Sequence, residues 1–371
     1  MLRLKLDLSG LKKVGSQLAL GSGALLIKRL ERIPELLTMR FLRTAERREI
    51  FFRQFGSVED FVAGRVTDLT AAIRNNDPND PGPLVKSLHA LNAKLFPIES
   101  ERETPSGLKA YVQPDRTEAS PFNERRIIGI RSEDKTEIIA AAIYGVSATP
   151  EHLRRATGIN GVVGLTYAMV DENYRRTGLG KYIATKLVPQ TAQAFLRSRG
   201  IDNARIIVSG EINDVRKLTF HEALSDIEKT ELMPNARRAF WENCGYRPLD
   251  WPDYVQLKLR KDLEPFAALD LFIAGWKKPQ VPSELVHFLV DYHGKFCLNK
   301  QQGLDEDDRS ELKRMRESLA QKPLIGFQTV SDHRTADSDL LAAMSRAAHD
   351  NAPAYKLVQD ILDYYTSKPK A

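Results

Sequence analysis

Hydrophobic and polar positions follow three different patterns along the chain. In residues 1–75 apolar side chains such as Leu26, Leu30, Ile33 and Leu37 recur every three or four positions, which is typical of amphipathic helices. Residues 75–83 then combine turn-forming side chains with three prolines. Such a cluster interrupts regular structure, so the pattern predicts a boundary there.

Residues 81–262 have a mixed α and β pattern. Short β-rich or alternating runs predict strands over residues 126–131, 138–146, 161–170, 204–208 and 254–259. Helical spacing predicts helices over residues 84–95, 178–199 and 236–244, and residues 97–121 read as a polar loop. Gly200 follows the second of these helices, where a helix C-terminus favours glycine.

Beyond residue 262 the patterns that predict strands disappear. Helices are predicted over residues 266–273, 283–297, 305–320 and 337–365. Ser283 and Asp305 stand where N-caps are expected. The chain therefore divides, by prediction, into a helical segment over 1–80, an α/β domain over 81–262 and a helical domain over 263–371.

Composition narrows the class of protein. The chain has 371 residues, of which 42% are hydrophobic and 28% charged, an ordinary balance for a folded globular protein. Two cysteines are too few for a disulfide scaffold or a four-cysteine zinc site. The seven histidines show no metal-ligand spacing, and no apolar run approaches the roughly 20 residues of a membrane helix. We expect a cytoplasmic protein without a metal or a membrane span.

Positive charge is concentrated at the N-terminal end. Residues 1–53 contain twelve Lys or Arg against five acidic residues, while the whole chain has a net charge of +6. A basic segment of this kind can bind nucleic acid or anionic lipid. The alternative is a solvated helical face, which the small number of interleaved aromatic residues favours.

One segment carries recognisable chemistry. After the strand predicted over 161–170, a short loop contains Arg175, Arg176, Thr177, Gly178, Leu179 and Gly180, and a helix follows at once. Glycines let a ligand approach the backbone, and the first turn of a helix presents N–H groups that attract phosphate. The Walker and dinucleotide patterns both fail, because Arg175 stands where the first Walker glycine would be and the loop has only two glycines. The alternative is an ordinary strand-to-helix turn with solvated arginines.

The run over residues 168–180 resembles the coenzyme A motif of the GNAT superfamily of acyl-CoA N-acyltransferases. Residues 239–246 are similar to the second signature of that superfamily, an aromatic-Glu-x-x-Gly-aromatic helix end. The resemblance covers roughly residues 83–262. It implies an α/β (α+β) fold with a mixed, mainly antiparallel sheet flanked by helices. It also implies transfer of an acetyl group from acetyl-CoA to a primary amine, on a small molecule or a protein, by direct attack in a ternary complex.

The resemblance also implies roles for individual residues. Met169 and Val170 correspond to main-chain contacts of the pantetheine arm and the acyl carbonyl. The pyrophosphate would be held by the loop and the first helical turn, that is, by Arg175, Arg176, Thr177, Gly178, Leu179, Gly180 and Lys181. Asn213 is the first candidate for an asparagine that contacts the coenzyme, and Asn235 is the alternative, because about twenty residues (214–233) intervene between them.

A base must remove the proton of the amine before it attacks. Glu211, after the strand predicted over 204–208, is the first candidate and Glu172 the second. Glutamates of the loop after the first helix are further candidates, namely Glu99, Glu101 and Glu103. Each of these glutamates could instead be an ordinary surface residue.

The sequence also departs from the family pattern. Trp241 occupies the position of the frequent general-acid tyrosine, and Tyr246 is expected to be a core aromatic. Cys244 is expected to be a buried small hydrophobe. Two other classes therefore stay open, a non-catalytic acyl-CoA sensor and a nucleic-acid-associated protein acting through residues 1–53. The additional helices could cap the acceptor cleft or form a homodimer contact.

Overall fold

A computed structural model describes residues 46–75, 77, 81–96, 104–113, 123–213, 234–257, 269–294 and 304–328. The chain separates into two compact units, of which one comprises Thr44–Asn213 and Arg238–Gln328. The other comprises Met1–Arg43, Asp214–Arg237 and Thr329–Ala371. Nearly all the described residues belong to the first unit, which includes residues on both sides of the two predicted domain boundaries.

A seven-stranded mixed sheet is the centre of this unit. Its strands, in chain order, are β1 Val66–Asp68, β2 Asn123–Arg131, β3 Ile138–Ala148, β4 Gly161–Val170, β5 Ile206–Asn213, β6 Arg247–Pro248 and β7 Leu269–Ala274. The spatial order is β1-β2-β3-β4-β5-β7-β6, and neighbouring strands are antiparallel except β4 and β5, which are parallel. A two-stranded sheet pairs β8 Val281–Pro282 with β9 Leu324–Ile325. The expected mixed, mainly antiparallel sheet is thereby confirmed.

Helices cover both faces of the sheet. In chain order they are α1 (residues 46–55), α2 Val58–Val62, α3 Thr70–Asn75, α4 Pro83–Leu95, α5 Pro105–Val112, α6 Glu151–Thr157, α7 Leu179–Ser198, α8 Pro234–Asn243, α9 Ser283–Tyr292 and α10 Glu306–Ala320. Helix α7 contains one π-helical stretch, Ile183–Leu187, between the α-helical stretches Leu179–Tyr182 and Val188–Ser198. Pro189 explains this irregularity, because proline has no N–H for the regular helical hydrogen bond and its ring crowds the preceding turn.

Alternation along the strands, interrupted at two register shifts, divides the buried residues between the two faces. On one face Val163, Leu165 and Val208 pack with α7 and with residues of α1 and α2. On the other face Ile127, Ile143 and Met169 pack against α3, α4 and α5. The same face continues across β4, β5 and β7, where Val162, Ile207 and Leu271 pack against α9 and α10. Burial of apolar surface on both faces stabilises the unit.

Most elements predicted within residues 84–208 are confirmed. The predicted strands over 126–131, 138–146 and 161–170 lie in β2, β3 and β4, and the strand over 204–208 begins instead at Ile206. Gly200 has φ +80° after α7, as its position predicts. The polar loop over 97–121 is wrong in part, because Thr104 caps α5 through a hydrogen bond from the Gly107 N–H at 3.0 Å.

The larger errors lie towards the C-terminus and before residue 75. Residues 269–274 form β7 inside the central sheet, so the helix predicted over 266–273 is wrong. The strand predicted over 254–259 is reduced to a bridge at Gln256 within its described residues. Residues 66–68 form β1 in a stretch predicted to be helical. Asp305 is the N-cap of α10 as predicted, whereas Pro282, not Ser283, caps α9. The helix predicted over 337–365 lies outside the described residues.

Candidate active site

The two parallel strands at the centre of the sheet separate along their length. Their pairing runs from Gly161↔Ile206 to Leu165↔Gly210, although β4 continues to Val170 and β5 to Asn213. The separation coincides with a register shift between β3 and β4, where Ile143 is opposite Tyr167 but Tyr144 is opposite Leu165. Thr166 is the extra residue of this β-bulge, which bends a strand and increases its twist. An opening between β4 and β5 results.

The main-chain groups at this opening follow from the register. The Asp171 N–H donates to Ile139 O at 2.8 Å, which makes these two residues a hydrogen-bonded pair of the antiparallel ladder. Because such pairs alternate, the main-chain groups of Met169 turn towards β3, while those of Ala168 and Val170 turn towards the opening. The Met169 side chain is 1% exposed and belongs to the core. Of the two residues expected to contact the pantetheine arm, only Val170 presents its main chain there.

The loop after β4 is held by short polar contacts. Asp171 accepts a hydrogen bond from the Asn173 N–H at 2.9 Å and lies 2.9 Å from Lys94 Nζ. Arg175 Nε donates to Val170 O at 3.4 Å, so this arginine contacts the end of β4 itself. Arg176 has φ +64°, a left-handed conformation that a residue with a Cβ adopts rarely. A strained loop residue of this kind is frequent at ligand sites.

The next residues anchor the loop to the core and begin α7. Thr177 Oγ1 donates to Tyr174 O at 2.8 Å and accepts from the Leu179 N–H at 3.4 Å. Thr177 and Leu179 are 1% and 0% exposed, so their side chains anchor the loop and do not face a ligand. Gly178 has φ +96°, and a Cβ there would lie 3.2 Å from Val58 Cγ2, so glycine is required on both counts.

The start of α7 borders the opening. The first N–H groups of a helix have no partners within the helix, and the helix dipole makes this end positive. A Cβ added to Gly180 would lie 3.2 Å from Phe240 Cζ and 3.6 Å from Val170 Cγ2. Gly180 therefore lies between the last residue of β4 and the partly exposed ring of Phe240 on α8. The exposed Lys181 adds a positive charge in the same turn. This arrangement can bind a phosphate or diphosphate group.

Glu211 lies on β5 just beyond the point where β4 and β5 separate. Its Oε1 accepts a hydrogen bond from the Tyr254 hydroxyl, and its Oε2 accepts one from Gln256 Nε2 at 2.7 Å. Glu211 is partly buried, and Tyr254 is 2% exposed. The carboxylate is thus held in one orientation one residue beyond the last β4–β5 pair, as a base acting on a bound amine needs to be.

The other predicted base candidates lie elsewhere. The Glu172 side chain is 58% exposed and forms an ion pair with Lys94 Nζ at 3.1 Å. That environment is the one expected of a surface glutamate. Glu99, Glu101 and Glu103 lie outside the described residues, as do the side chains of Asn213 and Asn235.

The helix that carries the second signature supplies aromatic packing. Trp241 packs edge-to-face on Phe240 and on Tyr246, with ring centroids 5.1 Å and 5.0 Å apart. Tyr246 is 2% exposed and burial raises its pKa, which fits the expected core role. Burial likewise raises the pKa of the Cys244 thiol to about 11. These residues stabilise the wall of the opening.

Sequence reasoning missed several residues that the structure brings to the opening. Ala168 and Phe240 flank it, and Tyr254 and Gln256 hold Glu211. The alternation of main-chain groups in β4 could have identified Ala168. Nothing in the local pattern indicates that Tyr254 approaches Glu211, since that contact joins residues 43 positions apart.

Similarity to known proteins is found among solved structures. No protein-family model matches the sequence, and no curated protein matches it. Among solved structures, an acetyltransferase assigned to the GNAT family from Desulfovibrio desulfuricans is 14% identical, with a TM-score of 0.26, and the match covers 50% of this chain and 88% of that one. An acetyltransferase from Bacillus subtilis, solved with CoA, is 9% identical over 41% of this chain and 78% of that one, with a TM-score of 0.23.

A third structure is the mosquito arylalkylamine N-acetyltransferase like 5b, 13% identical over 51% of this chain and 93% of its own, with a TM-score of 0.25. These three solved structures are acetyltransferases, the class of protein whose motifs residues 168–180 and 239–246 resemble. Within the described ranges no helix has the length and apolar character needed to cross a membrane. The described part of the chain also has no cluster of three or more His, Cys, Asp or Glu side chains arranged to hold a metal.

Proposed function

We propose that this protein transfers an acyl group, in the first instance acetyl, from acyl-CoA to a primary amine. One observation carries the proposal: the opening between β4 and β5 is bordered at one end by the Val170 main chain and by the N-terminus of α7. A diphosphate group suits the helix N-terminus, and an extended amide-containing arm suits an unpaired strand edge. Coenzyme A contains both.

The residues present suit such a substrate. The N–H groups at the start of α7 and the Lys181 ammonium would bind the diphosphate, and Gly180 lets it approach the backbone. The main-chain groups of Ala168 and the Val170 N–H would bind the amides of the pantetheine arm and the thioester carbonyl. Because Val170 O accepts from Arg175 Nε, the N–H is the group that Val170 offers.

Transfer then proceeds by direct attack. Glu211 accepts a proton from the ammonium group of the acceptor, and the neutral amine attacks the thioester carbon. The developing oxyanion is stabilised by the Val170 N–H. The C–N bond forms, the C–S bond breaks, and the departing thiolate takes the second proton from nitrogen. The protein contributes chiefly by holding both reactants in the same opening.

No tyrosine is needed to protonate the leaving group in this scheme. Trp241 has no acidic hydroxyl, and the Tyr246 hydroxyl is buried in the core. The thiolate of a thiol is a stable leaving group near neutral pH, since an ordinary thiol has a pKa of about 8.5. The tryptophan at position 241 is therefore compatible with catalysis and does not by itself favour a non-catalytic sensor.

A turnover assay tests the proposal. The purified protein is incubated with acetyl-CoA and a panel of amines, and free thiol release is recorded. We expect release that depends on an amine, and a loss of about 100-fold or more in Glu211→Gln, since a general base typically contributes about 100- to 10,000-fold. Tight acetyl-CoA binding without thiol release from any amine would support the non-catalytic sensor instead. Absence of acetyl-CoA binding would refute both functions.

A further inference from the structure

A second buried polar group lies next to Glu211. His293, at the end of α9, is 3% exposed, and its Nε2 lies 2.8 Å from Ser209 Oγ. Ser209 precedes Glu211 by two residues on β5, so both side chains lie on the same face of the sheet. Glu211 and His293 line one small cavity, whose other lining residues are Tyr254, Val255, Leu257, Val290, Gly294 and Met315.

Hydrogen bonding indicates which imidazole nitrogen can take up a proton. Ser209 Oγ lies within hydrogen-bond distance of Val163 O, at 3.2 Å, and of His293 Nε2, at 2.8 Å. When the single hydroxyl proton is donated to Val163 O, the hydroxyl accepts from His293 Nε2–H. The neutral ring is then protonated on Nε2, and Nδ1 is the nitrogen that binds an additional proton. A buried polar chain of this kind is costly in an apolar core unless its members are paired, so it requires an explanation.

The residues around the cavity determine which other charges can affect Glu211 and His293. Among the described residues, those that line the cavity and titrate are Glu211, Tyr254 and His293. From α10 the cavity receives Met315, whereas Arg316 of that helix forms an ion pair with Asp291 of α9 at 2.6 Å on the partly exposed side. The buried Asp308 near the start of α10 does not line the cavity.

We propose that Glu211 and His293 form one proton-binding pair, in which His293 is a positioning residue that sets the pH at which Glu211 stops accepting a proton from the amine. This inference rests on the proposed function. Helix α9, which lies outside the region that resembles acyltransferases, then takes part in the catalytic chemistry through His293.

Coupled titration explains the expected effect. The first proton that the pair binds goes either to the Glu211 carboxylate or to Nδ1 of His293. In the first case the base is lost, and in the second the neighbouring cation weakens it. Two sites bind a first proton more readily than one, so the pair loses its basic form at a higher pH than Glu211 alone would.

The state of His293 near neutral pH agrees with this scheme. Burial lowers the pKa of its imidazole, and the negative charge of Glu211 opposes that fall. The ring is therefore neutral at pH values above its ordinary pKa of about 6.5, and Glu211 is then free to act as the base. As the pH falls, the pair takes up its first proton and transfer slows.

An NMR titration tests the pairing without relying on turnover. The protein is labelled with 13C at histidine Cε1, and His293→Asn identifies the signal by its loss. In Glu211→Gln the pKa of His293 should fall by about 1 unit or more, because a nearby anion has been removed. His287, on another side of α9, should titrate as before, and so should His293 in Glu172→Gln. An unchanged His293 titration in folded Glu211→Gln would overturn the proposal.

Kinetics provide the second test and a second variant. The acid limb of the pH profile of kcat/KM should move to lower pH in His293→Gln, by about 0.3 unit if both sites bind the first proton equally and by more if His293 binds it better. His287→Gln should leave the limb in place. An acid limb that stays in place or moves to higher pH in folded His293→Gln overturns the proposal. A protein that never turns over acetyl-CoA refutes the proposed function, and the NMR titration then still decides whether the pair exists.

Discussion

A charge placed at Gly180 tests the diphosphate site directly. Gly180 is the second residue of α7 and lies between Val170 and Phe240. An acidic residue in the first turn of a helix is favourable for the helix, by about 0.3–1 kcal/mol. The new Cβ would lie 3.2 Å from Phe240 Cζ, and that ring is 36% exposed, so it has room to shift. Gly180→Asp should therefore fold as the wild type does.

Binding of acetyl-CoA should suffer strongly in the same variant. Two unit charges about 5 Å apart repel by about 3 kcal/mol at an effective dielectric constant near 20. Since every 1.4 kcal/mol is tenfold in affinity, we expect about 100-fold weaker binding by isothermal titration calorimetry. Gly180→Asn, which has nearly the same shape without the charge, should lose much less.

The matched control is Gly326→Asp. A Cβ at Gly326 meets no atom within 4 Å, and this residue follows β9, away from the loop after β4. The control adds the same charge to the protein, so its acetyl-CoA affinity should equal that of the wild type. Wild-type affinity in folded Gly180→Asp would refute the placement of the diphosphate at the start of α7.

Three further predictions concern other parts of the unit. Glu172→Gln should change kcat/KM less than about twofold in the thiol-release assay, because an exposed ion pair contributes little; a loss as large as that of Glu211→Gln would restore Glu172 as the base. Arg238→Met should lower the free energy of unfolding by about 3–5 kcal/mol in urea titrations, because it removes the positive charge that lies 2.9 Å from the buried Asp270 carboxylate, to which Gln328 Nε2 at 3.1 Å then donates as a neutral group. The double variant Arg238→Met with Asp270→Leu should recover part of that loss, and a single variant as stable as the wild type would contradict this prediction. Cys244, with a pKa of about 11, should react with iodoacetamide at pH 8 far more slowly in the native protein than in urea, as peptide mapping would show.

Sequence-based predictions are accurate where a short stretch of the chain determines the structure. The strand over 161–170 was predicted to the residue, because β-rich composition and the loop behind it are local features. The prediction of a diphosphate-binding loop over residues 175–181 depends on the same kind of local pattern. Helix α5 is absent from the prediction although Thr104 and Pro105 are a local capping signal, because the acidic residues before it favour a polar loop. Here the sequence contained the information.

The remaining errors concern contacts between distant residues. Residues 269–274 read as a helix because their apolar spacing fits either period, and their strand conformation depends on pairing with β5 and β6. The hydrogen bond between Glu211 and Tyr254 and the proximity of His293 depend in turn on how the sheet and α9 pack. Local patterns do not determine such packing, so the sequence predicts Glu211 as a candidate base without indicating the residues that contact it.

The position of β7 has a consequence for biosynthesis. During translation β5 is complete about sixty residues before β7, the strand that pairs with it. Strand β6, which also pairs with β7, is likewise synthesised before β7. Until residue 274 leaves the ribosome, the nascent sheet has an unsatisfied edge of the sort that attracts other chains. A truncated gene that stops at residue 262 should accordingly yield aggregates, and expression of the unit that contains the central sheet requires the downstream coding sequence.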